Sequence, residues 1–401
     1  SDVFLSNRSC TTWGALFQLV QFKKCKDRDI GIWTDFEANW PVYILFGRLL
    51  NVGYAAATLV VVFLLGRRAF GGWVGTIAAW LLLFYPLMVF HTQFIRSDIA
   101  AAFFCALGLW SCLRLLDRPV LSNHLLAGFV IGVGISTRYF LAIMVLPLLM
   151  VDGWVIWRDR VKGVHSLQRW VTAVSIGLFA AVVGFSLTTP FFFLDPAIAW
   201  DSIRAEARAT HLGADGLSWA GNLLWYVHTA IPRIVTWPQS MMALVAVFVV
   251  VGRRQFTQLL LPGFALVFLM TISVMPLHWN YWVIPILPIM ALLVGCALDW
   301  LCNCALPTQS GYRLAALTIG TLALSVWPMF QVVLQNFQNS NPTTRIVARD
   351  WIVANLPRGS RIIQEWYAAP LGDTDFEVKE VFSLAAGRTT PEEYIREGYD
   401  Y

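Results

Sequence analysis

The sequence predicts an all-α, multi-spanning membrane protein with a small α/β domain after its last span, and three observations predict it. Hydrophobic residues make up 58% of the 401 residues and charged residues only 13%. The apolar residues gather in long blocks instead of recurring at amphipathic spacing, as chains whose main solvent is a bilayer do. Trp is abundant, at 19, and many Trp sit at block ends, where an amphipathic ring prefers the headgroup region. The formal charge of +5 does not point to nucleic acid, because the basic residues fall in short connectors between apolar blocks.

In chain order, residues 1–40 form an outer first loop. Its run Trp13, Leu16, Phe17, Leu19, Val20 and Phe22, followed by Lys23, Lys24 and Lys26, is too short to span and suits a helix lying on the membrane surface. The opening at Ser1 and the close at Tyr401 read as the ends of a fragment, with one transmembrane helix expected ahead of Ser1. Ten apolar blocks build a bundle over 41–336: 41–66, 73–92, 98–116, 123–137, 139–157, 170–193, 236–252, 257–276, 281–301 and 313–335. The blocks 123–137 and 236–252 are short for a perpendicular helix. A long outer loop, 195–237, carries Ile198, Trp200, Ile203, Trp219, Leu223 and Leu224 among charges, and is expected to lay one or two helices on the surface. From 337 to 401 the composition suits an extracytoplasmic α/β domain, with a helix from Thr343 or Thr344 to Asn355, a turn at Pro357-Arg-Gly359 and a strand over 361–365.

Alternate connectors carry Arg67-Arg68, Arg114 with Arg118, the run from Arg158 to Arg169, Arg253-Arg254 and Arg313. Positive-inside topology makes that side cytoplasmic and the other connectors, with the C-terminal domain, extracytoplasmic, in what reads as a bacterial cytoplasmic membrane. Lys23, Lys24, Lys26 and Arg28 run against the rule, as a long first loop with its own fold can. Of the seven cysteines, Cys105, Cys112 and Cys296 lie in apolar blocks and pack as small hydrophobes. Cys302-Asn-Cys304 is too short a motif for zinc by itself, and only Cys10 and Cys25 could pair, if their segment faces an oxidising compartment. His211 and His228 have no partner set for a metal, and neither a Gly-rich phosphate loop nor a nucleophile constellation is present. No cofactor is predicted, and a divalent metal stays open without support.

Chemistry is expected around His91-Thr-Gln-Phe-Ile-Arg-Ser-Asp98, where an Arg and an Asp stand between two spans and charge is costly. Arg96, Asp98, Arg138 and His278 come from different segments and share the outer face; Tyr43 and Arg48, in the outer half of the first block, could join them. Two or three Arg beside an apolar wall suit a phosphate attached to a lipid, because guanidinium binds phosphate oxygens in a two-pronged geometry. Asp35 and Glu37, just before the first block, are candidate catalytic carboxylates, weighed against solvated loop charges. The competing readings are that Arg138 snorkels, that Arg96 and Asp98 form a structural pair, and that His278 is an interfacial hydrogen-bonder.

The order Pro41-Val-Tyr43 with Arg48, Gly66-Arg-Arg-Ala-Phe70, Tyr85-Pro86, Phe94-Ile-Arg96-Ser-Asp98, Ser136-Thr-Arg138-Tyr139 and Tyr281-Trp-Val-Ile-Pro285-Ile-Leu-Pro288 resembles the glycosyltransferases of the protein O-mannosyltransferase type. These belong to the GT-C fold class, with the aminoarabinose transferases of lipid A. The stretch from Thr344-Arg345 through Trp351-Ile352 to Gly359-Ser360 is similar to the start of the outer domain of many bacterial members. The resemblance implies a GT-C helix bundle, a polyprenyl-phosphate-linked sugar as donor, and transfer to a protein or lipid acceptor on the outer face. It implies that Asp98 helps shape the site, that Arg138 faces the donor phosphate, and that Asn280 and Tyr281 border it. Two departures stand against it. The catalytic Asp or Asp-Glu that members carry at the outer end of their first helix is expected upstream of residue 1 or lost, and Asn280 stands where members often have Arg. The alternative is a non-catalytic GT-C-like structural subunit working with partner subunits of a larger membrane complex. A transporter finds no support in repeats or paired broken spans.

Overall fold

The computed structural model describes residues 31–161, 167–206, 215–306, 311–366, 368–381, 384 and 390–401, with the side chains of 31–40, 160, 161, 167, 169, 205 and 206 outside that set. The surface helix expected before residue 30, the Cys10–Cys25 pair and His211 lie outside the described residues. The chain divides into two compact units, one through Val332 and one from Val333 to Tyr401.

Every element among the described residues of the first unit is a helix. Helix α1, Gly31–Ala69, starts ten residues ahead of the first apolar block and runs through Pro41. After it, Gly71 takes φ 115°, a conformation only glycine adopts without strain, and the chain reverses into α2, Gly72–Leu83. The two helices touch where Gly66 meets Gly75, and a methyl on either would strike the other helix's backbone. Pro86 cannot continue α2, so α3, Pro86–Thr92, leaves at 61° to it. Next come α4, Asp98–Asp117, and α5, Leu121–Thr137; a 3₁₀ turn, Tyr139–Met144, then leads into α6, Val145–Val161. Helix α7, Leu167–Thr188, is followed by the short α8, Phe191–Leu194, and α9, Pro196–Glu206. Helix α10, Trp219–Trp225, passes through a π turn at Tyr226–Ala230 into α11, Ile231–Val235. At Thr236 the chain bends by 118° into α12, Trp237–Arg253. Helix α13, Phe256–Ile272, a 3₁₀ turn at Asn280–Ile286, α14, Leu287–Ala305, and α15, Gly311–Ser340, complete the bundle.

Among the described residues six helices are long and apolar enough to cross a membrane, and counting each bent pair as one span gives eight, where about ten were expected from the sequence. The difference is α5 and α13, which have 17 residues each. At 1.5 Å per residue such a helix is about 25 Å long, against a hydrocarbon core of about 30 Å. The block 236–252 is also not a lone span, because α10 and α11, from the 195–237 connector, join it across the 118° bend. The core sits on two helices: the apolar window is 89% buried in the span Asn280–Ala305 and 72% buried in α4, while the other four full spans are at most 39% buried. Those four present the rest of their apolar surface outward, as lipid-facing helices do.

Helices α5 and α7 pack through small residues. A Cβ on Gly128 would collide with the Gly177 carbonyl, and one on Gly132 with the Ala181 carbonyl. The Gly128-x-x-x-Gly132 spacing therefore lets two backbones meet at van der Waals distance, the means of association left to helices in lipid.

In the second unit, α16, Thr344–Asn355, ends before Pro357, and Gly359 turns the chain at φ 79° into β1, Arg361–Glu365. Strand β2, Glu377–Val381, pairs with β1 in parallel, Arg361 opposite Glu377. Ile362, Ala369 and Leu371 form its small core, with Ile352, Leu356, Phe376 and Val378 packed against them. Helix α17, Pro391–Arg396, begins with a capping box between Thr390 and Glu393.

Candidate functional site

Four of the residues singled out in the sequence meet at one end of the bundle. The 61° bend at Pro86 brings the last turn of α3 beside the first turn of α4, and the five residues between them, Gln93 to Ser97, form a tight loop. Asn51 of α1 pins that loop by donating its amide to the carbonyls of Phe94 and Arg96, the second at 3.2 Å. Asp98 opens α4, where a carboxylate complements the unsatisfied N–H groups and positive end of the helix. Its side chain is only 2% exposed.

Both oxygens of Asp98 are engaged. Arg96 Nε donates to Oδ2 at 2.9 Å, and the Arg138 guanidinium donates to Oδ1. His91 Nδ1 lies 3.2 Å from Oδ2. Arg138 arrives from the extended residue between α5 and the Tyr139–Met144 turn, at φ −152°. Tyr281, in the 3₁₀ turn before α14, floors the cluster: Arg96 sits 4.3 Å from its ring centre and Arg138 5.7 Å. Trp279 stacks on Tyr281 at 5.7 Å.

Two guanidiniums against one carboxylate leave the cluster with an excess positive charge of one, counting Arg96, Arg138 and Asp98. Burial works against the charge on Arg96, and the adjacent Asp98 carboxylate and Tyr281 together more than offset it, so its pKa is raised. The Arg138 Nε is buried and has no hydrogen-bond partner among the described residues. A donor in that state, in a cluster with surplus positive charge, is suited to an anion.

The remaining candidates fall elsewhere. Arg48 is exposed on α1 and makes no ion pair among the described residues, although its neighbour Gly47 packs directly on Ile95. Tyr43 is 40% exposed on the same helix. Asp35 and Glu37 lie on α1 before Pro41, and their side chains are outside the described residues. Ten residues of helix separate Glu37 from Gly47, about 15 Å of rise beyond the loop that carries Arg96. His278 turns to other partners: its Nε2 is 3.5 Å from Asp215, and its ring packs on Trp225 at 4.1 Å. Asn280 is exposed and opens the turn that presents Tyr281. Among the described residues no group of three His, Cys, Asp or Glu is placed to hold a metal ion.

The opposite end of α4 carries a different set of contacts. Arg68 pairs with Asp117, with Nε 2.8 Å from Oδ2, Arg158 donates to the Leu116 carbonyl at 2.8 Å, and Gln258 donates to the Ala69 carbonyl at 2.9 Å. The 20-residue length of α4 separates these from Asp98, about 30 Å, the thickness of a bilayer core.

Residues 43–188 match the profile of the dolichyl-phosphate-mannose-protein mannosyltransferase family. The fold is similar to ArnT from Cupriavidus metallidurans in the apo state, with TM-score 0.51 at 14% identity over 79% of this chain and 67% of that one. ArnT from the same organism bound to undecaprenyl phosphate gives 0.48 at 14% identity over 80% and 68%. The Archaeoglobus fulgidus oligosaccharyltransferase in complex with zinc and sulfate gives 0.45 at 16% identity over 78% and 44%, so this chain spans less than half the length of that protein. No curated protein sequence matches the chain. The resemblance read from the sequence is met by the fold, a GT-C helix bundle in which residues 43–188 match the protein mannosyltransferase profile.

Proposed function

We propose that this chain is an integral-membrane glycosyltransferase that takes a sugar from a polyprenyl-phosphate donor, and that Arg96 and Arg138 hold the donor phosphate on the extracytoplasmic face. The observation that carries the reading is the pair of guanidiniums sharing one buried carboxylate over the Tyr281 ring. The family match over residues 43–188 supports the donor class. In such a transfer the bond between the sugar and the phosphate oxygen breaks, and the leaving phosphate gains a negative charge. A cluster with a surplus positive charge in a partly desolvated setting stabilises that change.

Asp98 is an organiser in this reading, not the proton acceptor. A carboxylate with both oxygens already held by Arg and His presents no unengaged oxygen to an acceptor hydroxyl. That same engagement favours one alternative, a GT-C-like subunit that binds the lipid phosphate without turnover. The test uses purified protein in nanodiscs, a polyprenyl-phosphate donor with a labelled sugar, and a Ser/Thr-containing peptide or a lipid as acceptor. Transfer of label that drops at least ten-fold in Arg138→Ala supports the transferase; donor binding without transfer to either acceptor class supports the subunit; and neither binding nor transfer rejects both.

A further inference from the structure

His91 has no place in the phosphate-binding reading, yet it is one of three side chains on Asp98. The order of exposure separates the roles. Arg96 is 41% exposed and Arg138 24%, so both stand at the mouth of the cluster, while His91 at 5% lies behind with Asp98. Its ring contacts Phe90 and Tyr281, each with its centroid 5.7 Å away. A histidine in that position cannot reach an acceptor ahead of the arginines.

We propose that His91 is a positioning residue: its Nδ1–H donates to Asp98 Oδ2 and, with the Tyr281 ring, fixes the carboxylate plane so that Arg96 and Arg138 are aimed together at one phosphate. This deepens the donor-phosphate reading above and rests on it. The physical argument runs through one atom. Oδ2 takes both Arg96 Nε at 2.9 Å and His91 Nδ1 at 3.2 Å, so without His91 the carboxylate can turn to follow Arg96 alone and Oδ1 leaves Arg138. The backbone is arranged for the contact. Pro86 starts α3 so that His91 falls in its last turn, and Asn51 ties down the loop between His91 and Asp98 through the Phe94 and Arg96 carbonyls. The hydrogen bond also fixes the ring's state: Nδ1 must carry a proton, whereas free imidazole favours the proton on Nε2.

Two measurements on the full chain in nanodiscs test this. The first is the affinity for undecaprenyl phosphate in His91→Ala and His91→Asn, each alone and with Asp98→Asn. Losing a hydrogen bond to a charged group predicts about ten-fold weaker binding in His91→Ala. Asn, whose amide can donate from near the Nδ1 position, restores most of it, and His91→Ala costs less than about two-fold once Asp98 is already Asn, as coupled neighbours require. An equal loss in both backgrounds makes His91 a packing residue and overturns the proposal. The second needs no ligand: ring-¹⁵N-labelled histidine NMR of the wild type, with the His91 signal assigned by its absence in His91→Gln. A protonated Nδ1 that loses its proton to Nε2 in Asp98→Asn supports the proposal, and an unprotonated Nδ1 in the wild type rejects it. If the wild type binds no lipid phosphate, the donor-site reading fails on the first measurement while the ring state still judges His91 on the second.

Discussion

Asp98 is the residue on which the site turns, and its burial gives sharp expectations. Asp98→Asn leaves two partly exposed guanidiniums facing a neutral amide, so stability should fall by about 1–3 kcal/mol, read as a lower thermal midpoint in detergent. Replacing Arg96 with Lys keeps the charge but loses the planar fork and the flat contact with Tyr281. Lipid-phosphate affinity should drop about ten-fold in that variant with little change in thermal midpoint, and unchanged affinity would show that Arg96 acts only as a point charge. Arg96, Asp98 and Arg138 were legible in the sequence because ionisable residues from separate segments fall together at the same end of the apolar blocks. Tyr281 was legible only through the family resemblance. His91 and Asn51 were not singled out, since a lone His or Asn near a span end carries no signal until the fold shows its partner. The one available hint was Pro86 inside the block 73–92, a break that places His91 on its own short helix.

At the scale of elements, the glycine contact of α5 with α7 is the most exposed to test. Gly132→Leu forces the backbones apart at the Ala181 carbonyl and should cost about 1–3 kcal/mol, whereas Gly153→Ala, with open space around its Cβ, should be neutral. Comparable losses in the two variants would mean that α5 and α7 do not meet as described. Element positions were largely readable from the apolar blocks, because length and uninterrupted hydrophobicity are local properties. The bends were not. The 118° turn between α11 and α12 depends on Thr236 at φ 78° and on packing around Val235 and Ala243, neither of which a hydropathy pattern encodes. The same limit explains why α5 and α13 read as spans: composition shows that a segment is buried, and length alone leaves a 17-residue helix ambiguous between lipid and protein surroundings.

For the whole molecule, the alternating basic connectors and the two contact clusters at the ends of α4 make one prediction about sidedness. Cys304 is exposed at the end of α14, five residues after Asp299, whose carboxylate receives Arg313 Nη2 at 2.7 Å. With Cys10 and Cys25 changed to Ser, an impermeant maleimide should label Cys304 only from the cytoplasmic side and an introduced Ile95→Cys only from the opposite side. Labelling of both from one side would break the assigned topology. The central claim is that the Arg96, Asp98 and Arg138 cluster binds the phosphate of a lipid-linked sugar. Its most direct test is the affinity of the purified protein in nanodiscs for undecaprenyl phosphate, compared between wild type, Arg138→Ala and Arg253→Ala. Arg253 is exposed and sits beside Cys296, away from the cluster. The account predicts about ten- to hundred-fold weaker binding in Arg138→Ala and an unchanged value in Arg253→Ala. Equal affinities in all three would contradict it.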